Sequence, residues 1–174
     1  MAFPLRGPDA VVSVRTVGAQ DEVPFLTAAL RSRALHRPWV QPPLTPEAFA
    51  TYLARFDGKH SFGFLVCVKD GEGPAGAIHL SNVIYGAFCS GYLGYYAFDG
   101  FQGRGVMRQA LRQVVRLAFT DLGLHRLEAN IQPTNHASIA LVQSCGFRCE
   151  GFSPRYLKVT GRWRDHERWA LVKS

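Results

Sequence analysis

The hydrophobic and polar positions of the first sixty residues alternate at two different spacings. Val11 to Arg15 alternate like a half-buried strand, and residues 20–35 carry apolar side chains at helical spacing. A Pro-rich loop over residues 36–43 follows. Thr45 then resembles an N-cap with Pro46 at the first helical position, which predicts a second helix running to about Phe56. The chain is therefore predicted to open with a strand and two helices.

A meander of strands and one long helix are predicted for the middle of the chain. The strands are expected at residues 62–68, 75–84 and 92–98, with a Gly-rich turn over residues 69–73. Residues 103–121 carry the clearest helical pattern, in which Met107, Leu111 and Val114 belong to one apolar stripe, and Gly123 ends it. This helix is strongly amphipathic, so we expect it to pack one face against the sheet.

The last fifty residues predict a return to the sheet. A short strand over residues 125–131 and a short helix over residues 137–144 are followed by a region from Phe147 onward in which a hairpin turns at Thr160-Gly161. The sequence contains no repeat, low-complexity segment or interdomain linker. The alternation of strands and helices predicts a single α/β (α+β) domain over residues 1–174.

Composition narrows the class of protein. The chain has 174 residues, of which 47% are hydrophobic and 19% are charged, which is typical of a globular domain and not of a disordered chain. The N-terminus lacks the apolar core of a signal peptide, and no stretch is long enough to span a membrane. We therefore expect a cytoplasmic protein without a membrane partner. The four cysteines form no paired metal-binding motif, so we expect reduced thiols and no metal.

The charge is unevenly distributed along the chain. Residues 1–101 contain eight basic and eight acidic side chains, whereas residues 102–174 contain twelve basic and five acidic ones, so the whole net charge of +7 lies in the second part. This asymmetry favours an anionic ligand there. Both the phosphates of a nucleotide cofactor and a nucleic acid would satisfy it.

A Gly-rich turn joins the predicted strand that ends near Phe98 to the long amphipathic helix. Amides at the start of a helix are unpaired and lie at the positive end of its dipole, a geometry that binds phosphate. Gly103 and Gly105 would let the backbone approach an anion closely. A Walker loop is excluded because Val106 follows Gly105, and a dinucleotide fingerprint is disfavoured because Arg108 stands where a third glycine is needed.

The motif Gln102-Gly-Arg-Gly105-Val-Met107 resembles the Gln/Arg-x-x-Gly-x-Gly/Ala signature of the GCN5-related N-acetyltransferases, with Met107 departing from the small residue usual there. Further matching motifs follow in the order and spacing of that family. They are Leu124-His-Arg-Leu-Glu-Ala-Asn130, Asn135-His-Ala-Ser138, Cys145-Gly-Phe147 and Gly161-Arg-Trp-Arg-Asp-His166. The resemblance covers about residues 11–172. The subgroup it is most similar to is the ribosomal-protein-alanine N-acetyltransferases, which acetylate protein N-terminal amines.

The resemblance implies a fold and a reaction. The fold would be a mixed central sheet of about six to seven strands with one splayed strand pair, flanked by about four helices. The reaction would be direct transfer of the acetyl group of acetyl-CoA to an amine, most simply a protein N-terminal α-amine, without a metal. The residues that the resemblance assigns to acetyl-CoA are Tyr96, Ala97, Phe98, Gln102, Gly103, Arg104, Gly105, Val106, Met107, Asn130, Asn135 and Ser138.

The catalytic acid and base are the least defined part of the resemblance. Many family members have a tyrosine after the leucine of the second conserved helix, but Val142 follows Leu141 here, so Ser138 is the substitute candidate for the acid. Tyr92 stands where the family often has an acidic residue, which leaves Glu128 as the candidate base. The residues expected around the acceptor are His36, Trp39, Tyr156 and Trp163.

Other functions stay open at this point. The acceptor could be a small-molecule amine, such as an amino acid, a polyamine or an antibiotic, or the chain could be a non-catalytic acyl-CoA sensor. A basic RNA-binding module is a further alternative, but the sequence lacks the interleaved aromatic and basic residues of an RNA-binding motif, so we expect no sequence-specific nucleic-acid partner. The oligomeric state, including a homodimer, is undetermined by the sequence.

Overall fold

Seven strands form one mixed sheet in the computed structural model, which describes residues 12–69, 71 and 73–174. The spatial order of the strands is β1-β2-β3-β4-β5-β7-β6. Their bounds are β1 (Val12–Thr16), β2 (Phe62–Val68), β3 (Pro74–Ile84), β4 (Ser90–Ala97), β5 (Arg126–Ile131), β6 (Arg148–Val159) and β7 (Arg162–Val172). Val11, the first residue of the predicted N-terminal strand, and Asp70 and Glu72 of the predicted turn lie outside the described residues.

Within the described part of the chain, five α-helices cover the two faces of the sheet. They are α1 (Glu22–Arg31), α2 (Arg33–His36), α3 (Pro46–Leu53), α4 (Val106–Thr120) and α5 (His136–Ser144). The single helix predicted for residues 20–35 is interrupted at Ser32. The Ser32 hydroxyl donates a hydrogen bond to the Ala28 carbonyl (2.6 Å) and accepts one from the Asp99 amide (2.8 Å). This interruption ties the end of α1 to the loop after β4 and sets α2 off as a separate short helix.

The sheet opens between its two central strands. Every neighbouring pair is antiparallel except β4 and β5, which run parallel and are paired at only three positions, Ser90 with Arg126, Gly91 with Leu127 and Tyr92 with Glu128. Beyond these three pairs, β4 continues to Ala97 and β5 continues to Ile131, but the two strands no longer pair with each other. The splayed strand pair that the resemblance implied is therefore confirmed, and its backbone groups face an open cleft.

Two hydrophobic cores hold the helices in place. Alternation along β5 directs Leu127, Ala129 and Ile131 into the larger core, which also contains the buried stripe of α4. The smaller core lies on the opposite face, where Phe25 of α1 and Phe49 of α3 pack with ring centroids 5.1 Å apart. The side chains of Glu128 and Asn130, also on β5, therefore lie on the face that α1 and α3 cover only in part.

The predicted long helix begins three residues later than its hydrophobic pattern suggested. Gly103 and Gly105 have φ values of 69° and 73°, in the left-handed region, so the backbone cannot be helical until Val106. Position 103 thus belongs to the turn. Among the described residues, no helix is long and apolar enough to cross a membrane.

Candidate active site

Two cavities meet in the opening between β4 and β5. The larger has a volume of about 530 Å³ and is bounded by α2, the end of β4, the turn before α4 and the first turns of α5. The smaller has a volume of about 110 Å³ and lies between the two splayed strands. The residues that line both are Trp39, Val40, Tyr95, Asn135 and Ser138. These shared residues mark the junction at which a ligand in one cavity would meet a ligand in the other.

The N-terminus of α4 forms one wall of the larger cavity. The amides of Val106, Met107 and Arg108 have no hydrogen-bond acceptor among the described residues, and the N-cap residue Gly105 has no side chain to supply one. A Cβ at Gly103 would meet no atom within 4 Å, and one at Gly105 would meet only the Arg108 side chain at 3.7 Å. The space in front of these amides is therefore open, which makes the turn a cradle for an anion.

The free edge of β4 forms a second wall. The Phe98 amide donates to the Ala75 carbonyl of the β3 side (2.8 Å), so by alternation the N–H and C=O groups of Tyr95 and Ala97 point away from β3 into the cleft. His36 Nε2 donates to the Ala97 carbonyl at 2.8 Å. The N–H of Ala97 and both backbone groups of Tyr95 are left for a ligand that extends along the strand edge.

Tyr95 and Ser138 occupy the junction of the two cavities. The Tyr95 hydroxyl lies 2.9 Å from Ser138 Oγ, and the Ser138 amide donates to Asn135 Oδ1 at 3.2 Å, which caps α5. Burial raises the pKa of Tyr95 well above its ordinary value, so the phenol stays protonated across the physiological range. These two hydroxyls can therefore donate a proton at the junction.

The carboxylate of Glu128 is held by a neighbour on its own strand. Arg126 Nε lies 2.8 Å from Glu128 Oε1, and the other end of the same guanidinium contacts Glu150 on β6. These two hydrogen bonds, that of Glu150 first, raise the pKa of Arg126 further above its ordinary value. Burial, followed by the nearby Glu128 carboxylate and Tyr156 hydroxyl, raises the pKa of Tyr92. Glu128 belongs to an ion-pair network outside both cavities.

The structure distributes the residues predicted from the sequence over three places. Those that line the larger cavity are His36, Trp39, Tyr96, Ala97, Gln102, Gly103, Gly105, Val106, Met107, Asn135 and Ser138. Asn130 lines only the smaller cavity. Those that line neither are Phe98, Arg104, Glu128, Tyr156 and Trp163.

The residues outside the cavities have other environments. The Phe98 ring is fully buried against Phe25 in the smaller core. The Arg104 guanidinium lies over the Phe101 ring and donates to the Gly100 carbonyl at 3.2 Å. Tyr156 and Trp163 lie exposed on the β6–β7 hairpin.

Several lining residues were missed by the sequence analysis. Tyr95 and Phe101 line the larger cavity, and His166 of β7 lines the smaller one. Strand alternation could have separated Tyr95 from Tyr96, since successive side chains of β4 point to opposite faces. His166 ends the motif Gly161-Arg-Trp-Arg-Asp-His166, but the motif does not indicate that it lies at the cavity, because its position depends on the pairing of β7 with β5 across the sheet.

The polar groups of the site are hydroxyls, amides, the Arg108 guanidinium and the imidazoles of His36 and His166. Among the described residues, no group of three or more His, Cys, Asp or Glu side chains could hold a metal ion. The thiols of Cys67, Cys89, Cys145 and Cys149 are all free. Cys145 lies at the C-terminal end of α5, and burial raises the pKa of its thiol.

Comparison with known proteins identifies the family. A family model described as an acetyltransferase (GNAT) domain matches residues 12–148. The chain is 40% identical over 112 residues to the [ribosomal protein uS5]-alanine N-acetyltransferase of Escherichia coli, an alignment that covers 64% of this chain and only 58% of that enzyme.

Two solved structures are similar over almost the whole chain. RimJ of Mycobacterium smegmatis in complex with CoA-disulfide has a TM-score of 0.86 and 30% identity, covering 98% of this chain and 86% of that one. The ribosomal-protein-S5-alanine acetyltransferase of Vibrio fischeri has a TM-score of 0.85 and 27% identity, covering 99% of this chain and 96% of that one.

Proposed function

The chain belongs to the acetyltransferase (GNAT) family of acetyl-CoA-dependent N-acetyltransferases, and we propose that its acceptor is the N-terminal α-amine of a protein. The observation that carries the proposal is the meeting of two cavities at Tyr95 and Ser138, one bounded by an anion cradle and the other lying between the splayed strands. This geometry suits two substrates that approach one reacting carbon from opposite sides. We treat residues 1–174 as one catalytic domain.

The larger cavity fits coenzyme A in shape and chemistry. The unpaired amides of Val106, Met107 and Arg108 would hold the pyrophosphate, with the Arg108 side chain on the cavity wall beside them. The free N–H of Ala97 and the C=O of Tyr95 would bind the amides of the pantetheine arm along the strand edge. The apolar lining from Leu35, Val40 and Leu141 would cover its methylene and methyl groups.

The acetyl thioester would then lie at the junction of the cavities. In the family, a backbone N–H near the end of the splayed strand faces the thioester, and the Tyr95 N–H is the group that alternation directs there. The amine attacks the thioester carbon, the C–S bond breaks, and the hydroxyls of Tyr95 and Ser138 supply a proton to the departing thiolate. A thiol with a pKa of about 8.5 is a tolerable leaving group, so this proton contributes modestly.

Two arguments support an α-amine as the acceptor. The E. coli relative acts on the N-terminal alanine of a ribosomal protein by its name. An α-amine has a pKa of about 7.7–8.0, so roughly a fifth of it is the free nucleophile near pH 7.2, whereas a lysine side chain at about 10.4 is almost wholly protonated. An active site without an acidic residue beside the thioester is better matched to the α-amine.

The test is a turnover screen with acetyl-CoA. Short peptides that differ in their N-terminal residue form one set, and amino acids, polyamines and amine antibiotics form the comparison set, with release of the CoA thiol as the readout. The proposal requires peptides with a small N-terminal residue to be the best acceptors by kcat/KM. Preferential turnover of a small-molecule amine would replace it with the small-molecule alternative, and binding of acetyl-CoA without any turnover would favour the sensor.

A further inference from the structure

The β6–β7 hairpin contains a bulge beside the smaller cavity. Ser153 pairs with His166 and Leu157 with Arg164, so three residues of β6 lie opposite a single residue of β7. Within the bulge, Arg155 has a positive φ of 47°, and its amide donates to Asp165 Oδ1 at 2.7 Å. The Asp165 carboxylate thus holds the bulge in one conformation.

The Arg164 carbonyl, beside the bulge, accepts a hydrogen bond from a side chain. His166 Nδ1 lies 2.9 Å from that carbonyl oxygen, and because a carbonyl only accepts, Nδ1 must carry the hydrogen. The other ring nitrogen, Nε2, is then the one with the free lone pair, and it has no hydrogen-bond partner among the described residues. The His166 side chain is buried, at 4% exposure, and it lines the smaller cavity.

A second unused acceptor lies in the same cavity. Asn130 Oδ1 is buried and has no hydrogen-bond partner among the described residues. Asn130 pairs with Arg168 across β5 and β7, so its side chain and that of His166 are on the same face of the sheet. A cavity with two unsatisfied acceptors is matched to a ligand rich in N–H donors, which is what an amine is.

We propose that His166 is the general base of the acetyl transfer and that Asn130 positions the acceptor amine beside it. This role of His166 depends on the proposed acetylation of an amine, but it does not depend on which amine is the acceptor. When the amine nitrogen attacks, a C–N bond forms to the thioester carbon and one N–H proton passes to His166 Nε2. The C–S bond then breaks and the thiolate takes a proton from the hydroxyls at Tyr95 and Ser138. His166 releases its proton to solvent, and the hydroxyl pair takes one proton back from solvent. The sum is amine plus acetyl-CoA giving amide plus CoA thiol.

The surroundings keep the imidazole neutral at physiological pH. Burial lowers the pKa of His166, and the Arg164 carbonyl and the Asp165 carboxylate oppose that shift without cancelling it. Tyr156 on β6 faces the ring at a centroid distance of 6.4 Å, Arg164 and Arg168 are its neighbours on the same face of β7, and Tyr95 and Ser138 line the cavity opposite. The lone pair of Nε2 is therefore available at pH 7, whereas a protonated imidazole would repel an ammonium.

The experiment compares His166→Gln with His125→Gln, a matched control at an exposed histidine before β5. The best amine acceptor from the screen is used for both variants. His166→Gln should lower kcat/KM by about 10²-fold, within the range typical of general bases, while the Kd of acetyl-CoA changes less than twofold. His125→Gln should match the wild type. Asn130→Leu should raise KM for the amine and leave the affinity for acetyl-CoA unchanged.

The pH profile separates a base from a structural residue. In the wild type, kcat/KM should decrease as the pH falls, because the amine becomes protonated and because a group with a pKa below 6.5 becomes protonated. In His166→Gln, only the decrease caused by protonation of the amine should remain. Activity of His166→Gln within threefold of the wild type, with the same profile, would overturn the proposal. If an amine other than an α-amine proves to be the acceptor, the proposed acceptor class fails, but the role of His166 is tested on that amine.

A measurement on the unmodified enzyme covers the case in which His166→Gln does not fold. ¹⁵N NMR of histidine-labelled protein should show His166 with Nδ1 protonated and Nε2 unprotonated at pH 7, with a titration below pH 6.5. A His166 ring with Nε2 protonated at pH 7 would contradict the assignment, because that nitrogen could not accept a proton.

Discussion

The Tyr95 hydroxyl of β4 lies 2.9 Å from Ser138 Oγ of α5, across the junction between the two cavities. The pair joins a strand edge to the first turn of a helix that Asn135 caps. The family position for a tyrosine acid is occupied by Val142, which is fully buried here. Tyr95 lines the junction of the two cavities, so a phenol is present there although the expected position lacks one.

Replacing Tyr95 by phenylalanine tests whether the phenol supplies the proton. Tyr95→Phe should lower kcat about tenfold, a small effect for an acid because a thiolate leaves readily. The Kd of acetyl-CoA should change less than twofold. Steady-state kinetics on Tyr95→Phe, Ser138→Ala and the double variant would show that the two effects are not additive, since both residues act on one proton. Tyr85→Phe, at an exposed tyrosine that bonds the Lys59 carbonyl, is the control. An unchanged kcat in both single variants would exclude the pair.

The glycine at the N-cap of α4 is expected to be essential for binding coenzyme A. Gly105→Val should abolish measurable binding of acetyl-CoA by calorimetry, because the side chain would stand before the free amides and the left-handed φ of 73° would be strained. Gly123→Val carries the same kind of strain, at a φ of 66°, but lies beyond the other end of α4. Both variants should lose stability, and only the first should lose the cofactor. Normal affinity in Gly105→Val would disprove the cradle.

Two arginines on α4 should differ in their effect on the cofactor. Arg108 lines the larger cavity and should bind a phosphate. Arg108→Ala should therefore weaken the binding of acetyl-CoA by about 1–2 kcal/mol, which is about tenfold in Kd. The loss should shrink at high salt. Arg116→Ala, two turns further along the helix, should leave the Kd unchanged, and Arg104→Ala should have a smaller effect because its guanidinium is turned back to the Gly100 carbonyl. Equal effects of Arg108→Ala and Arg116→Ala would indicate long-range attraction by the positive charge of the helix and not a direct contact between Arg108 and a phosphate.

Acid should destabilise the fold through His79 on β3. Its Nε2 lies 2.8 Å from the Tyr52 hydroxyl among aromatic rings, and burial lowers the pKa of His79 to about 4, against about 6.5 in an unfolded chain. Above pH 6.5 the histidine is neutral in both states. As the pH falls from 6.5 towards 4, the unfolded chain takes up a proton that the folded one does not, so the free energy of unfolding decreases by about 2–3 kcal/mol.

Denaturant unfolding at a series of pH values measures this effect. His79→Leu should be less stable at pH 7.5, because Tyr52 loses its partner, but its stability should depend less on pH between 6.5 and 4. His36 and His166, whose pKa values are also lowered mainly by burial, contribute to the dependence that remains, as does Glu150, whose pKa is lowered by its hydrogen bond with Arg126. If the free energy of unfolding depends on pH equally in the wild type and in His79→Leu, protonation of His79 is not what lowers the stability in acid.

Local patterns along the chain predicted most of the fold but not the composition of the cleft. Hydrophobic spacing indicated the seven strands and the amphipathic helix, and the motif around Gly105 indicated the anion cradle. The interruption at Ser32 was missed because it depends on a hydrogen bond to Asp99, 67 positions away. The apolar spacing of residues 20–35 continues through it without a break.

Local patterns predicted the acceptor side of the site less well than the fold. Glu128 was the obvious carboxylate on its strand, but pairing with Arg126 and the approach of Glu150 from β6 place it in an ion-pair network. His166 lies at the cavity because β7 lies between β5 and β6 in the sheet, and its ring is held by the Arg164 carbonyl beside a bulge in β6. Both facts come from strand pairing over long separations, which the residue types alone do not encode.

The most direct test of the central claim is a competition between two peptides for acetylation. One is an Ala-initiated peptide with a free N-terminus and an internal lysine, and the other is its N-terminally blocked twin. The two are incubated together with the enzyme and acetyl-CoA, and fragmentation mass spectrometry locates the acetyl group. Transfer to a protein α-amine predicts acetyl on the N-terminal alanine of the free peptide and an unmodified twin. Equal turnover of both peptides, with acetyl on the lysine, would contradict it.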